Sequence, residues 1–267
     1  MKADTSVTVG RIMSSKKYRF LYRPTVERIL ADVVKKYPSK RVEKEARRKL
    51  HQLWGAYFTR PTFEDLLERA VKQKEGGEDA QTVFTELFAL QTSSKERTPL
   101  LDHFYTDIWK GLSENPSSEP RTVIEYGCGI NALAYPWMGR VKYAGYDVDH
   151  EVSDFMNSLL TLYDLQDCAC TKIGDVLIDD LPPADVYLLL KLIPLLEHQE
   201  KNCTLPLLRR VPARDTIVSF PTRSISGRDK GMEAFYRKFF TELISGEGWE
   251  YSEMCFDNEL VFVVKKG

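Results

Sequence analysis

From Arg121 to the end of the chain, short apolar runs alternate with amphipathic stretches, and this alternation restricts the fold more than any other feature. The runs RTVIEY, VKYAGYDV (141–148), CACTKI (168–173), DVYLLLK (185–191) and DTIVSF (215–220) read as strands. Helical spacing fills 151–164, roughly 194–210 and 231–245 between them. Strand–helix alternation predicts a parallel sheet with helices on both faces. The tail changes style. GWEYSEMCF, then Asp257-Asn258, then ELVFVVKK predicts two strands joined by a tight turn, a terminal antiparallel hairpin. The total is a mostly parallel seven-stranded sheet.

The residues before 121 carry a different period. Between Lys16 and Phe58, Val26, Ile29, Leu30 and Val33 recur at helical spacing behind Pro24, a first-turn proline. Pro38 ends that helix. A second begins near Lys40 and places Val42, Ala46, Leu50, Leu53 and Trp54 on one face. Further helices are predicted over 62–74 and 79–91, parted by Gly76-Gly77. Ser93 and Glu96 stand at capping-box spacing, which predicts a long helix reaching Leu112. SENPSSEP (113–120) reads as a linker. The expected organisation is a helical region 1–92, a connecting helix and linker 93–120, and an α/β domain 121–267.

The first junction of the α/β part is VIEYGCGINALAYPWM (123–138). Gly127 and Gly129 follow a strand, where the lack of Cβ lets main-chain amides approach a ligand and permits positive φ. Glu125 stands two residues before Gly127. Asp147 ends the next strand, where an acid accepts ribose hydroxyls, and Asp175 follows the third, where a carboxylate can meet an adenine amino group. Each alone has a plain reading as a turn or a helix cap. On three successive βα junctions they outline a nucleoside pocket at the C-terminal edge of the sheet.

Two cofactors suit such a pocket. GCGINA fits GxGxxA, the dinucleotide fingerprint of an NAD-dependent oxidoreductase. The E-x-G-x-G pattern, the long helical stretch ahead of it and the terminal hairpin favour S-adenosylmethionine (SAM).

Charge narrows the partner. Residues 1–60 hold 16 Lys or Arg against 5 Asp or Glu, net +11; the rest holds 22 against 34, net −12. A basic N-terminal part suggests a polyanionic partner such as nucleic acid. No apolar run reaches the roughly 18 residues of a membrane span. The five cysteines and four histidines show no ligand spacing, so no metal site is expected, and a cytoplasmic location is.

The place after the fourth strand reads Lys191-Leu192-Ile193-Pro194, without the N/D/S-P-P-Y/F run that serves exocyclic amines of bases. A Pro-Cys pair for attack on a pyrimidine is also missing. A ring nitrogen or an oxygen nucleophile fits better. Guanine N7 is unprotonated near neutral pH and needs no base. After the last parallel strand comes SFPTRSISGRDKGMEAFY (219–236), whose Phe220, Arg223, Arg228 and Lys230 suit stacking on a flipped base and holding phosphates.

Taken with SSKKYRFLYRPTVERIL, RKLHQLWGAYF, TSSKERTPLLDHFY and KLIPLLE, these stretches resemble, in order and over nearly the whole chain, the aminoglycoside-resistance 16S rRNA methyltransferases of the Arm/Rmt type. The resemblance implies a class I SAM-dependent methyltransferase fold. It also implies transfer of a methyl group to N7 of guanine 1405 in the decoding A site, with the assembled 30S subunit as substrate. By resemblance, Arg97 meets the methionine carboxylate of SAM, Asp147 the ribose and Asp175 the adenine side. Lys191, Glu197 and Arg228 match positions tied to target binding or activity, and Glu233 matches with a less defined role. Two departures stand out. Ala132 follows Asn131 where relatives often have proline, and the region of Asp179 and Asp180 lacks a basic residue found in some relatives. The neighbouring possibility, an A-site adenine-N1 methyltransferase, stays open, as does a non-catalytic RNA-binding module.

Overall fold

A computed structural model describes residues 5–54, 62–90, 92–112, 114, 119–223 and 231–266. The chain begins with α1 (Thr5–Met13), α2 (Arg23–Lys36) and α3 (Ser39–Trp54). Pro24 sits in the first turn of α2, where its missing N–H costs nothing. Val9, Ile12, Leu21, Val26, Leu30, Val33, Val42 and Leu50 close into a core of these three helices' own. The helix α1 precedes the point where the sequence pattern starts. α4 (Phe63–Glu75) follows, opened by a reciprocal capping box between Thr62 and Asp65, then α5 (Ala80–Phe88), capped by Asp79. These two pack with the sheet rather than with α1–α3, through Leu66, Ala70, Phe84 and Phe88.

The long helix expected over 93–112 is broken. It is α6 (Thr92–Lys95), a 3-10 turn (Thr98–Leu100) and α7 (Leu101–Lys110). Pro99 cannot continue an α-helix ladder, and its ring clashes with the carbonyl four residues back. The Glu96 carboxylate accepts from Lys191 Nζ at 3.0 Å.

The sheet runs β1 (Arg121–Tyr126), β2 (Val141–Asp147), β3 (Ala169–Ile173), β4 (Val186–Leu190), β5 (Asp215–Pro221), β6 (Glu250–Phe256) and β7 (Glu259–Lys265). Spatial order is β3-β2-β1-β4-β5-β7-β6. β1 to β5 are parallel and β7 is antiparallel to both neighbours. A 3-10 helix (Asn131–Trp137) and α8 (His150–Leu162) connect the first strands; α9 (Ile193–Gln199), α10 (Thr204–Arg210) and α11 (Met232–Ile244) connect the later ones. The stretch expected as one helix over 194–210 is therefore two, interrupted at 200–203. Successive β-residues face opposite sides, so Val123 and Leu188 enter the core shared with α4, α5, α7 and α8, while Ile124 and Leu189 enter the core shared with α9, α10 and α11. Strand order reverses between β1 and β4, and the C-terminal ends of those strands are where such sheets take ligands. Among the described residues no helix is long and apolar enough to cross a membrane.

Candidate cofactor and methyl-transfer site

The glycine turn leaves β1 in a left-handed conformation. Gly127 has φ +67° and Gly129 φ +48°. A Cβ on Gly127 would stand 2.7 Å from Leu192 Cδ1. The turn is tied sideways to β2: Gly127 N–H donates to the Tyr146 carbonyl at 2.8 Å, and Gly129 N–H to Asp147 Oδ2 at 2.8 Å. Asp147 Oδ1 accepts from the amides of Val148 (2.8 Å) and Asp149 (3.2 Å). Burial nonetheless pushes the Asp147 carboxyl above its usual range, against the pull of those three amides.

Beneath the turn lies a buried polar chain. Glu125 is 1% exposed; its Oε2 accepts from Tyr143 Oη at 2.6 Å and from Asn131 Nδ2 at 2.8 Å. Burial lifts its carboxyl to about 7, outweighing those two hydrogen bonds and the attraction of Arg97. Asn131 Oδ1 accepts from Arg97 Nη1 at 2.9 Å. Arg97 grips Glu259 through Nε (3.1 Å) and Nη2 (2.8 Å), and its guanidinium lies 4.7 Å from the centre of the Phe104 ring. Ser219 Oγ donates to Glu259 at 2.5 Å, and Lys191 Nζ lies 3.6 Å from Glu259. Residues from the ends of β1, β4 and β5, the start of β7 and the segment before α7 thus meet at one edge of the sheet. Lys191 holds φ +54°, an uncommon conformation for a residue with a side chain and one that collects at functional sites.

The sequence-derived residues fall into three groups. Arg97, Glu125, Gly127, Gly129, Asp147 and Lys191 come together at this edge. Asp175 stands 4% exposed at the same edge, but its Oδ2 is taken by Thr25 Oγ1 (2.8 Å) and by Arg28 Nε (3.1 Å) and Nη2 (2.9 Å), while Oδ1 accepts from Leu177 N–H (3.0 Å). Glu197 is spent on backbone: it accepts from the amides of Asn202 (2.7 Å) and Thr204 (3.0 Å) and from the Thr204 hydroxyl (2.5 Å), closing the loop into α10. Glu233 pairs with Arg237 at 2.8 Å. Arg228 and Lys230 lie outside the described residues.

Phe220 requires correction. It is fully buried, stacked on Tyr236 at 4.9 Å and enclosed by Phe239, Phe240 and Phe262. Its place in β5 turns it into the core between the sheet and α11, so no base stacks on it.

Sequence reading passed over Glu259, Asn131 as a ligand of Arg97, and Arg28. Asn131 lies inside the quoted glycine stretch and was legible there. Glu259 opens a strand behind a turn, a place where an acid is usually solvated, and only its 2% exposure sets it apart.

A glycine turn after β1, an acid closing β2 and a terminal antiparallel strand together define a class I SAM-dependent methyltransferase. The donor set fits this cofactor: a carboxylate for ribose, a cradle where Cβ would intrude, and a guanidinium near the turn. The ribosomal RNA methyltransferase (FmrO) family matches residues 14–263, and the chain belongs to that family. The 16S rRNA (guanine(1405)-N(7))-methyltransferase of Proteus mirabilis is 29% identical over 273 residues, covering 96% of this chain and 95% of its own. The enzyme of the same name from Serratia marcescens is 32% identical over 265 residues, with 96% of each chain covered. Among solved structures, the 16S rRNA methyltransferase RmtF in complex with S-adenosyl-L-homocysteine superposes over the whole of both chains, with TM-score 0.83 and 25% identity. The 16S rRNA methylase RmtB does so with TM-score 0.79 and 27% identity.

Proposed function

We propose that this enzyme methylates N7 of guanine 1405 in the decoding A site of 16S rRNA, acting on the assembled 30S subunit. The observation that carries this reading is the similarity, nearly end to end, to enzymes named for that reaction. The arrangement of the site agrees. When bound, SAM supplies a methyl group on a sulfonium, which an unprotonated ring nitrogen accepts without a general base. The protein then has to position and to exclude water. Asp147 would take the ribose hydroxyls and Asp175 Oδ1 the adenine side. Arg97, fixed by Glu259 and Asn131, would turn its remaining N–H toward the methionine carboxylate. Lys191, with Glu96 and Glu259 on its ammonium, would stand beside the incoming base, with Arg228 on the 224–230 segment.

The basic helices α1–α3 suit docking on folded rRNA, mainly through phosphates. Lys35, Lys40 and Lys44 point to solvent there. A methyl group on N7 adds positive charge and removes an acceptor, which would repel a cationic aminoglycoside, so resistance to such drugs follows from the same reading. Purified 30S subunits incubated with tritiated SAM, followed by borohydride reduction and aniline cleavage at 7-methylguanine and then reverse transcription, test it. Label confined to guanine 1405 is expected. Label on an A-site adenine, or none on 30S while other RNA is labelled, would overturn it.

A further inference from the structure

The segment Phe20–Arg28 crosses the same sheet edge that holds the cofactor residues. It engages three successive βα loops. After β2, Tyr22 N–H donates to the Val148 carbonyl (2.7 Å), His150 N–H donates to the Phe20 carbonyl (2.9 Å), and Leu21 bridges Asp149. After β3, Tyr22 Oη donates to Asp179 Oδ1 (3.3 Å), and Thr25 and Arg28 hold Asp175 Oδ2. After β4, Arg28 Nη2 reaches Gln199 Oε1 on α9 (2.5 Å). The Arg28 and Asp175 side chains are 16% and 4% exposed, so this pair is screened little by solvent. Asp179 Oδ2 in turn accepts from the Asp175 amide (2.7 Å), which locks the loop that carries the carboxylate.

A carboxylate offers about four acceptor sites. Thr25 and Arg28 direct three contacts onto Asp175 Oδ2, and the Leu177 amide takes one site on Oδ1 and leaves one, so the carboxylate's rotamer is set mainly from α2. We propose that Arg28 and Thr25 are positioning residues for the methyl-donor site. They make occupancy of the cofactor crevice and the seating of the basic helices α1–α3 on RNA two ends of one coupled equilibrium. The inference rests on reading the crevice as the SAM site and α1–α3 as the RNA-docking surface. Coupling of this kind is reciprocal: a donor that favours the seated α2 favours RNA docking by the same factor, and RNA that favours it tightens the donor.

The test uses the full chain and S-adenosylhomocysteine, with Arg28→Ala, Arg28→Lys and Thr25→Val; the last changes little but the hydroxyl, should Arg28→Ala not fold. In the wild type, the ligand slows hydrogen exchange in the 20–36 amides. In Arg28→Ala and Thr25→Val that protection is lost, and affinity falls by about 5- to 150-fold in Arg28→Ala, the usual span of coupling between sites. Arg28→Lys, which keeps the charge without the fork, falls between. A second arm measures 30S affinity with and without saturating ligand; the ratio seen in the wild type collapses to about 1 in Arg28→Ala, as linkage requires. A purely structural Arg28 would lower melting temperature alone. Wild-type affinity and wild-type protection of residues 20–36 in both Arg28→Ala and Thr25→Val overturn the proposal. The ligand arm needs no ribosome, so a wrong RNA target would leave its outcome intact and show only in the 30S arm.

Discussion

Glu125→Gln separates the charge of this residue from its hydrogen bonds. An amide oxygen accepts from Tyr143 and Asn131 as the carboxylate does, so the contacts at 2.6 and 2.8 Å can persist. What goes is an acid whose burial moves it from an ordinary 4.5 to about 7. The folded chain therefore binds more protons at this site than the unfolded chain between those two values. Stability derived from the neutral acid is complete below the unfolded value and is lost as pH rises through the folded one. At about 1.4 kcal/mol per pH unit, the full effect is about 3 kcal/mol. Melting of the cofactor-free wild type and variant is compared from pH 5 to pH 8.5. All other groups titrate in both proteins and cancel in the difference. The gap should open by about 2.5 kcal/mol in favour of the variant, or about 5 °C for a chain of this size. Parallel curves, with a gap constant to about 0.5 kcal/mol across the range, would show that Glu125 does not carry this penalty and that the reasoning is wrong.

Gly127→Ala forces a side chain into φ +67° and should cost about 1–2 kcal/mol in urea denaturation, with weaker S-adenosylhomocysteine binding by calorimetry. Glu259→Gln strands Arg97 in a buried site and should lose about 3–5 kcal/mol in the same denaturation assay. Burial raises the Glu259 carboxyl, but Arg97 and Lys191 more than offset this and hold it below its usual range. Its stabilising contribution is therefore present above the ordinary carboxyl value and lost as pH falls through the folded one, and the variant should lack that acid limb. Asp147→Ala should leave the circular-dichroism spectrum unchanged while abolishing S-adenosylhomocysteine binding; affinity within a few-fold of wild type would remove Asp147 from the pocket. Reversing Lys35, Lys40 and Lys44 to glutamate should weaken 30S binding and flatten its dependence on salt, with a log–log slope smaller by about 3 if each contacts a phosphate.

Much of the fold was legible because its signals are local. Apolar alternation located all seven strands to within a residue or two, and Pro24 and Gly76-Gly77 punctuated the helices where the structure does. Errors arose where a second local signal outweighed the first. The capping-box spacing at Ser93 hid Pro99, and the 194–210 stretch concealed a break that Glu197 fills with its carboxylate. The glycine turn was legible for the same reason as the strands: its two positive φ values belong to the residues themselves.

Side-chain commitments were not local. Asp175 carries the same chemistry in the sequence whether it faces a ligand or Arg28, which stands 147 residues away. Arg97 and Glu259 are 162 residues apart, and neither advertises the other. Phe220 reads as an aromatic beside a loop until the strand's pleat turns it inward among three phenylalanines and a tyrosine. The sequence alone determined the backbone's periodicities, the left-handed turn that glycine favours and the uneven charge, since each depends on neighbours within a few residues. Tertiary structure alone decided which buried charges find partners, because a carboxylate removed from water must bond to whichever donor the packing brings within 3 Å.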